Sequence, residues 1–199
     1  MKITIVGATG MSGSRIVAEA TRRGHDVTAV SRSGTAVQAD AHDRNRMIEL
    51  FTGTDAIVAA TRPAPGQEST VTTALLDAAA ATDRRILIIG GAGPLRTPGR
   101  PDLLAVDNPD YVPTQWRTLA AASVAQLEAC QNHRLADWTY LSPPAILEPG
   151  TRSGTYRRGT TTLLTAPDGT SRISVEDLAV AVIDELENPS TARHFTVAY

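Results

Sequence analysis

Residues 1–13 read Met1-Lys2-Ile3-Thr4-Ile5-Val6-Gly7-Ala8-Thr9-Gly10-Met11-Ser12-Gly13, an apolar run that leads into regularly spaced glycines. The run Ile3–Val6 is rich in β-branched side chains, which is typical of a buried strand. Behind the glycines, apolar residues keep helical spacing on one face until Gly24, and a second β-branched run, Asp26–Val30, follows. The segment therefore predicts a strand, a glycine turn, a helix and a parallel strand, which together form one βαβ unit.

The glycine turn has the composition of a phosphate-binding site. A glycine directly after the strand permits a sharp turn, the second lets the backbone approach a pyrophosphate, and the third lets the helix pack on the sheet. Free amides of the first helical turn attract an anion. The alternative is a tight turn with incidental glycines, and the strand–helix–strand context argues against it. We predict that the dinucleotide phosphates are bound by Gly7, Thr9, Gly10, Met11, Ser12 and Gly13.

The rest of the chain repeats the alternation of strands and Ala-rich helices. Val71–Ala78 and Leu119–Cys130 keep the spacing of amphipathic helices, and Ser174 with Asp177 forms a Ser-x-x-Asp cap for a last helix. We predict a single α/β domain over residues 1–199, an NAD(P)-binding Rossmann fold with a doubly wound, mainly parallel sheet. The predicted strands are Ile3–Val6, Asp26–Val30, Val37–Ala39, Asp55–Ala60, Arg85–Ile89, Trp138–Leu141 and Phe195–Ala198.

Composition and charge narrow the possible partners. The 199 residues are 42% hydrophobic and 20% charged, with a formal net charge of −2. This balance favours a small-molecule ligand over nucleic acid or an anionic membrane surface. The single cysteine, Cys130, excludes a disulfide framework, and the scattered histidines indicate no metal site. Because the first apolar run is too short for a signal peptide or membrane span, we expect a cytoplasmic protein. We expect it to be a monomer or a homodimer.

The end of the second strand indicates which cofactor is preferred. An NAD site places an acidic residue there to hold the ribose 2′-hydroxyl, but no acid lies between Asp26 and Asp40. Arg32 stands in that region instead, between Ser31 and Ser33. A guanidinium pairs well with a 2′-phosphate, and the two serines add hydroxyl donors, so we predict NADP(H) over NAD(H). The alternative is a solvent-exposed arginine in an arginine-rich chain.

Motifs along the whole chain resemble one branch of a known superfamily. The Gly-Ala-Thr-Gly form of the turn is similar to that of the extended and atypical short-chain dehydrogenases/reductases. Residues 88–93, 137–144, 148–150, 154–156 and 195–199 resemble the NAD(P)H-binding, NADH-flavin-reductase-like branch, which includes biliverdin-IXβ reductases. The resemblance implies that Asp40 accepts from the adenine amino group beside Ala41. It further places Ala60 and Thr61 against the adenine ribose, and Gly90, Gly91 and Ala92 beneath the nicotinamide ribose. The alternative is that these glycines serve only a turn.

The usual catalytic acid of this superfamily is missing. A Tyr-x-x-x-Lys pair supplies it elsewhere, but the only lysine here is Lys2, at the start of the first strand. Ordinary carbonyl reduction would lack its general acid. Two function classes remain: a reductase whose acceptor is conjugated, such as flavin, a linear tetrapyrrole or a quinone, and a non-catalytic NADP(H)-binding redox sensor. We favour the reductase, with flavin as a substrate and not a bound prosthetic group, and assign no catalytic residue.

Two proline-rich excursions, 93–113 and 143–169, follow predicted strands and are candidates for the substrate pocket. We predict that Pro143 forms the wall near the nicotinamide and that Ser142 and Pro144 line the acceptor site. Tyr156 is predicted to stack on the acceptor ring and Arg157 to meet a flavin phosphate. The alternative is a surface tyrosine beside solvated arginines.

Overall fold

The structure is a computed structural model that describes residues 1–34 and 37–199. Its strands are β1 (Lys2–Val6), β2 (Asp26–Ser31), β3 (Val37–Gln38), β4 (Ala56–Ala59), β5 (Arg85–Ile89), β6 (Arg96–Thr97), β7 (Arg100–Leu104), β8 (Trp138–Ser142), β9 (Ile146–Glu148), β10 (Arg157–Gly159), β11 (Arg172–Ser174) and β12 (His194–Ala198). Its α-helices are α1 (Met11–Arg22), α2 (Arg44–Phe51), α3 (Glu68–Ala81), α4 (Arg117–Asn132) and α5 (Val175–Glu187).

The main sheet is doubly wound. Its strand order is β10-β12-β8-β5-β4-β1-β2-β3. All neighbours pair in parallel except β10 and β12, which are antiparallel. The chain first builds outward from β1 to β3 and then returns to continue from β4 on the other side. The strand order therefore reverses between β1 and β4, where a crevice opens at the carboxyl ends of the strands.

Side chains of the central strands pack into two hydrophobic cores, one on each face of the sheet. Ile3 and Ile5 of β1 are buried with residues of α1 and α5. Val6 of the same strand is buried with residues of α2, α3 and α4. Strands buried on both faces read as continuous apolar runs, which is why the sequence predicts them well. The predicted α/β Rossmann fold with a mainly parallel sheet is confirmed.

Local signals also set the element boundaries. The predicted strand Arg85–Ile89 has the bounds of β5, and each of the other predicted strands differs by one residue at one or both ends. Ser174 caps α5 as its Ser-x-x-Asp pattern predicts, because its Oγ accepts from the backbone N–H of Asp177 at 3.0 Å. Helix α2 was not predicted; the Asp43 carboxylate caps it by accepting from the N–H of Arg46 at 3.0 Å.

The two proline-rich excursions are more ordered than their composition predicts. Residues 93–113 contain the antiparallel hairpin β6–β7, whose turn uses Gly99 at φ +72°. Residues 143–169 contain β9, which pairs with β11, and β10, which extends the main sheet. Leu95, Val112 and Leu163 form a third, smaller core beneath these segments. The excursions are therefore partly a packed cover over one end of the sheet.

Candidate functional site

The glycine turn after β1 is shaped by close backbone contacts. The N–H of Gly7 donates to the carbonyl of Val30 at 2.9 Å, and Gly7 adopts φ +85°. A Cβ on Gly7 would lie 2.3 Å from the carbonyl oxygen of Ala60, and one on Gly13 would lie 2.1 Å from that of Gly7. Side chains at these positions would collide with backbone. The glycines therefore bring the ends of β1, β2 and β4 together at the start of α1.

A cleft of about 490 Å³ opens above this turn, at the carboxyl ends of the strands. Most residues predicted to bind the cofactor line it: Gly7, Thr9, Gly10, Met11, Ser12, Ser31, Arg32, Ser33, Asp40, Ala41, Ala60, Thr61 and Gly90. The cleft-lining residues that sequence reasoning missed are Val6, Ala39, His42, Arg62, Pro63, Ala64, Gln67, Val71, Ile89 and Leu147. The segment after β4 was within reach of prediction, because loops that follow strands beside the crossover point face the ligand.

Four predicted cofactor residues, among those the structure describes, do not line this cleft: Gly13, Gly91, Ala92 and Pro143. Gly13 has a packing role, because its missing side chain lets α1 lie close against the turn. Gly91 packs against α4, where its Cβ would lie 3.1 Å from the Ser123 side chain. Pro143 is buried.

The end of β2 presents one cation to the cleft. Arg32 is exposed and lines the cleft. Ser31, by contrast, is only 6% exposed. Its hydroxyl donates to the carbonyl of Ser33. Ser31 thus uses its single hydroxyl proton inside the turn, and its role as a further phosphate donor stays a prediction.

Asp40 and His42 form a hydrogen-bonded pair in the lining of the cleft, and of the two only Asp40 was predicted as a site residue. The Asp40 carboxylate accepts from the backbone N–H of His42 at 3.0 Å and contacts the imidazole Nδ1 at the same distance. These two hydrogen bonds, and to a smaller degree the charge of Arg32, lower the pKa of Asp40. The side chain therefore offers a charged acceptor to a ligand in the cleft.

The predicted acceptor residues near β8 are buried instead of lining the cleft. Ser142 is fully buried, and its Oγ lies 2.9 Å from Nε2 of His194. Pro143 and Pro144 are buried as well. The prediction placed these residues at the pocket because they stand at the carboxyl end of β8. The cover formed by the two excursions encloses the end of this strand.

Tyr156 and Arg157 are held by the last helix and by the C-terminal residue. The Tyr156 hydroxyl donates to the Asp184 carboxylate at 2.6 Å, and burial raises the pKa of this phenol. The Arg157 guanidinium donates to the carbonyl oxygens of Thr165, at 2.8 Å, and of Tyr199. Neither residue belongs to the lining of the cleft, as far as the described residues go. Their predicted contact with an acceptor gains no support from this placement.

The geometry of the cleft offers no tyrosine–lysine acid. Lys2 begins β1, and its N–H donates to the Asp55 carboxylate at 2.7 Å, at the edge of the sheet opposite the cleft. Tyr140 is fully buried, and Tyr199 bonds to Asp177 through its hydroxyl at 2.7 Å. In the part of the chain that the structure describes, no tyrosine lines the cleft.

The cleft fits a dinucleotide in shape and chemistry. Its floor is a glycine cradle whose spaces a Cβ would fill, and it lies at the amino end of α1, where amides favour an anion. Thr61 Oγ1 at this site is buried without a hydrogen-bond partner among the described residues. A ribose hydroxyl is a group of the kind that would satisfy it.

None of the described helices has the length and apolar character that a membrane span needs.

The fold and this cleft together define a protein of the nucleotide-cofactor-binding Rossmann class. The chain belongs to the NAD(P)H-binding family, whose sequence model matches residues 7–189. It is 37% identical to the uncharacterized protein YwnB of Bacillus subtilis, over 99% of this chain and 98% of that one.

Solved structures agree with this membership. A Burkholderia pseudomallei protein, provisionally described as exported, is 36% identical with a TM-score of 0.90 over the full length of both chains. A Streptococcus pneumoniae protein, provisionally described as an NADH-flavin reductase, is 28% identical with a TM-score of 0.89, over 100% of this chain and 99% of that one. The fold is therefore shared with these proteins over nearly the whole chain.

Proposed function

We propose that this protein is an NADPH-preferring reductase that passes hydride to a conjugated acceptor such as a flavin, a linear tetrapyrrole or a quinone. The observation that carries the proposal is the make-up of the cleft. The cleft contains a phosphate-binding glycine turn and, at the proposed 2′-phosphate position, an arginine. Among the described residues that line it there is no tyrosine to act as an acid. Such a site is suited to binding and orientation more than to proton transfer.

Each end of the cleft has a distinct task in this proposal. The first-turn amides of α1 bind the pyrophosphate, and the glycine turn lets it approach the backbone. The Arg32 guanidinium pairs with the 2′-phosphate, while Asp40 accepts from the adenine amino group. Gly90 lies beneath the nicotinamide ribose at the end of β5. NADPH, when bound, supplies the hydride.

The nature of the acceptor follows from the missing acid. An isolated carbonyl needs a proton donor as its oxygen gains charge, and a donor of that kind typically contributes about 10²- to 10⁴-fold in rate. A conjugated ring system spreads the charge that arrives with hydride and takes its proton from solvent. Similarity to the S. pneumoniae protein, described as an NADH-flavin reductase, supports a flavin acceptor. That description names NADH, so the NADPH preference depends on the end of β2, where the sequence has Arg32 and no acidic residue.

The test is NADPH oxidation with FMN under low oxygen, with NADH measured in parallel. We expect protein-dependent oxidation that is faster with NADPH. Arg32→Ala should weaken NADPH binding about 10- to 100-fold, as expected for a lost charged hydrogen bond, and leave NADH binding unchanged. Arg84→Ala is the matched control, because this exposed arginine precedes β5 at the opposite edge of the sheet.

Each outcome separates the two function classes or the two cofactors. NADPH binding without oxidation of any conjugated acceptor would favour the redox-sensor alternative. Equal affinity for NADPH and NADH, or an equal loss of both in Arg32→Ala, would overturn the proposed preference. A loss in Arg84→Ala as large as in Arg32→Ala would show that the effect is general to positive charge.

A further inference from the structure

The turn that ends β5 contains three glycines whose role is spatial. Gly90, Gly91 and Gly93 all lack the positive φ that favours glycine, so other residues could adopt their backbone conformations. A Cβ, however, would have no room. On Gly93 it would lie 2.2 Å from the Ala120 carbonyl oxygen of α4, and on Gly91 it would lie 3.1 Å from the Ser123 side chain. The turn is therefore pressed directly onto α4.

Tyr140 holds the same turn from below. A Cβ on Gly90 would lie 1.7 Å from the Tyr140 hydroxyl oxygen, which means that this hydroxyl fills the space of a missing side chain. The hydroxyl donates to the carbonyl of Ser123 at 2.8 Å and lies 3.1 Å from Oε1 of Gln126. Burial raises the pKa of Tyr140 well above its usual value, and the Gly91 backbone N–H opposes that shift. The protonated phenol thus joins the turn to α4.

Packing in the core does not by itself explain the hydroxyl of Tyr140. A phenylalanine ring would fill nearly the same volume, and burying a hydroxyl is unfavourable unless it is hydrogen-bonded. Ser123 lies within α4, where its carbonyl has a helical donor of its own, so this carbonyl does not depend on Tyr140. What the hydroxyl adds is a fixed distance between β8, α4 and the turn at Gly90.

We propose that Tyr140 is a positioning residue for the nicotinamide end of the cofactor, because it fixes the position of the Gly90–Gly93 turn relative to β8 and α4. The inference rests on the proposed function, because Gly90 is the part of this turn that lines the cleft. A displacement of about 1 Å at a reacting centre can lower a rate by about 10²-fold. The phosphate and adenine ends are held by β1 and β2 instead, so they should be insensitive to this contact.

The experiment compares Tyr140→Phe with wild type and with Tyr199→Phe. Tyr199→Phe is the control, since its hydroxyl is also hydrogen-bonded but lies away from the cleft. It accepts from the Ser174 backbone N–H at 3.2 Å and lies 2.8 Å from Ser174 Oγ and 2.7 Å from Asp177 Oδ2. Three quantities are measured: the Kd of adenosine 2′,5′-bisphosphate, the nicotinamide fluorescence of bound NADPH, and the single-turnover rate with FMN. In Tyr140→Phe we expect an unchanged bisphosphate Kd, an altered fluorescence and a rate at least about tenfold lower. Tyr199→Phe should leave all three at wild-type values.

Two results would overturn the positioning role. One is wild-type fluorescence and rate in Tyr140→Phe; the other is equal weakening of bisphosphate and NADPH, which indicates a general structural effect. If wild-type protein binds NADPH without turnover, the proposed function fails, but the fluorescence comparison still decides the role of Tyr140.

A second pair of variants covers the case in which Tyr140→Phe does not fold. Gly91→Ala should lift the turn by a few tenths of an ångström, because its Cβ would be 3.1 Å from the Ser123 side chain. We expect it to show the same split between NADPH and the bisphosphate. Adding Ser123→Gly removes the collision and should restore the nicotinamide fluorescence. Failure of this restoration contradicts the proposal.

Discussion

At the residue scale, Gly13 determines how closely α1 approaches the sheet. A Cβ there would lie 2.1 Å from the Gly7 carbonyl oxygen, and backbone cannot yield as a flexible side chain does. We expect Gly13→Ala to displace α1 from the glycine turn. The free energy of unfolding should fall by about 2 kcal/mol, as for other overpacked sites. NADPH should bind at least about tenfold more weakly, since its pyrophosphate site depends on this approach.

The control for this prediction lies just beyond the other end of the same helix. Gly24 adopts φ +80° with no atom within 4 Å of an added Cβ. Gly24→Ala should therefore cost about 1 kcal/mol of stability through backbone strain and leave the NADPH Kd unchanged. Urea unfolding and cofactor titration measure both quantities. A Gly13→Ala protein with normal NADPH affinity would contradict the argument.

The predictability of a residue depends on how far away its partners are in the sequence. Gly7 and Gly13 could be assigned because their spacing is a local pattern within one βαβ unit, although the close contact of Gly7 is with Ala60 at the end of β4. The role of Tyr156 could not, since its hydroxyl bonds to Asp184, 28 residues further along the chain. Likewise, no local pattern predicts that Ser142 meets His194, 52 residues away. Most of the residues that line the cleft were therefore predictable, whereas the contacts of Tyr156 and Ser142 were not.

At the scale of elements, α1 and α5 are joined to the segment that follows β9 by ion pairs centred on Glu19. The Glu19 side chain is only 4% exposed and accepts from Arg22 at 2.7 Å, Arg23 at 2.7 Å and Arg152 at 2.8 Å. Hydrogen bonds from Arg152 and the other guanidiniums hold the pKa of this carboxyl well below its usual range. Glu19→Gln would leave these cations without their buried partner. We expect a loss of about 3 kcal/mol in the free energy of unfolding.

The matched control is an exposed pair on a different helix. Glu49 is 65% exposed and contacts Arg46 at 2.6 Å, three positions earlier in α2. Glu49→Gln should change stability by less than about 0.5 kcal/mol, because solvent screens such pairs. Urea unfolding at neutral pH compares the two variants. Equal effects would contradict a special role for Glu19.

The elements themselves were predictable to different degrees. The central strands are apolar on both faces, so their sequence alone identifies them. Strands β6, β7, β9 and β10 have between two and five residues. β6 and β7 pair with each other, whereas β9 and β10 pair with strands further along the chain. Proline content predicted loops there, and tertiary pairing overrode it. The order of elements was thus accessible, whereas the cover over the end of β8 was not.

For the whole molecule, the direction of the pKa shifts predicts lower stability in acid. The pKa values of Glu19, Glu176 and Asp177 are lowered in the folded protein by hydrogen bonds to arginine, hydroxyl or backbone donors. A lowered carboxyl pKa gives stability that is present above the unfolded-state value and is lost as the pH falls through the folded-state value. These groups act below about pH 4.5. A separate group is needed to explain any loss at higher pH.

His194 is that group. Burial lowers its pKa from 6.5 to about 4, with Tyr140 edge-on to its ring at 5.5 Å between centroids. The unfolded chain binds a proton below pH 6.5 while the folded protein does not, so this contribution is complete above pH 6.5 and is lost on acidification. The loss should approach about 3 kcal/mol near pH 4, and less where water reaches the ring.

His194→Gln tests this account because glutamine can still hydrogen-bond to the Ser142 hydroxyl but does not titrate. We expect the free energy of unfolding of this variant to be nearly independent of pH between pH 6.5 and about 5, where wild type loses stability. Ser142→Ala removes the partner and keeps the imidazole, so its pH dependence should match that of wild type. Urea unfolding over this pH range decides the matter. If His194→Gln retains the wild-type slope, the proton is taken up elsewhere, and burial at the start of β12 does not set the acid limit of this fold.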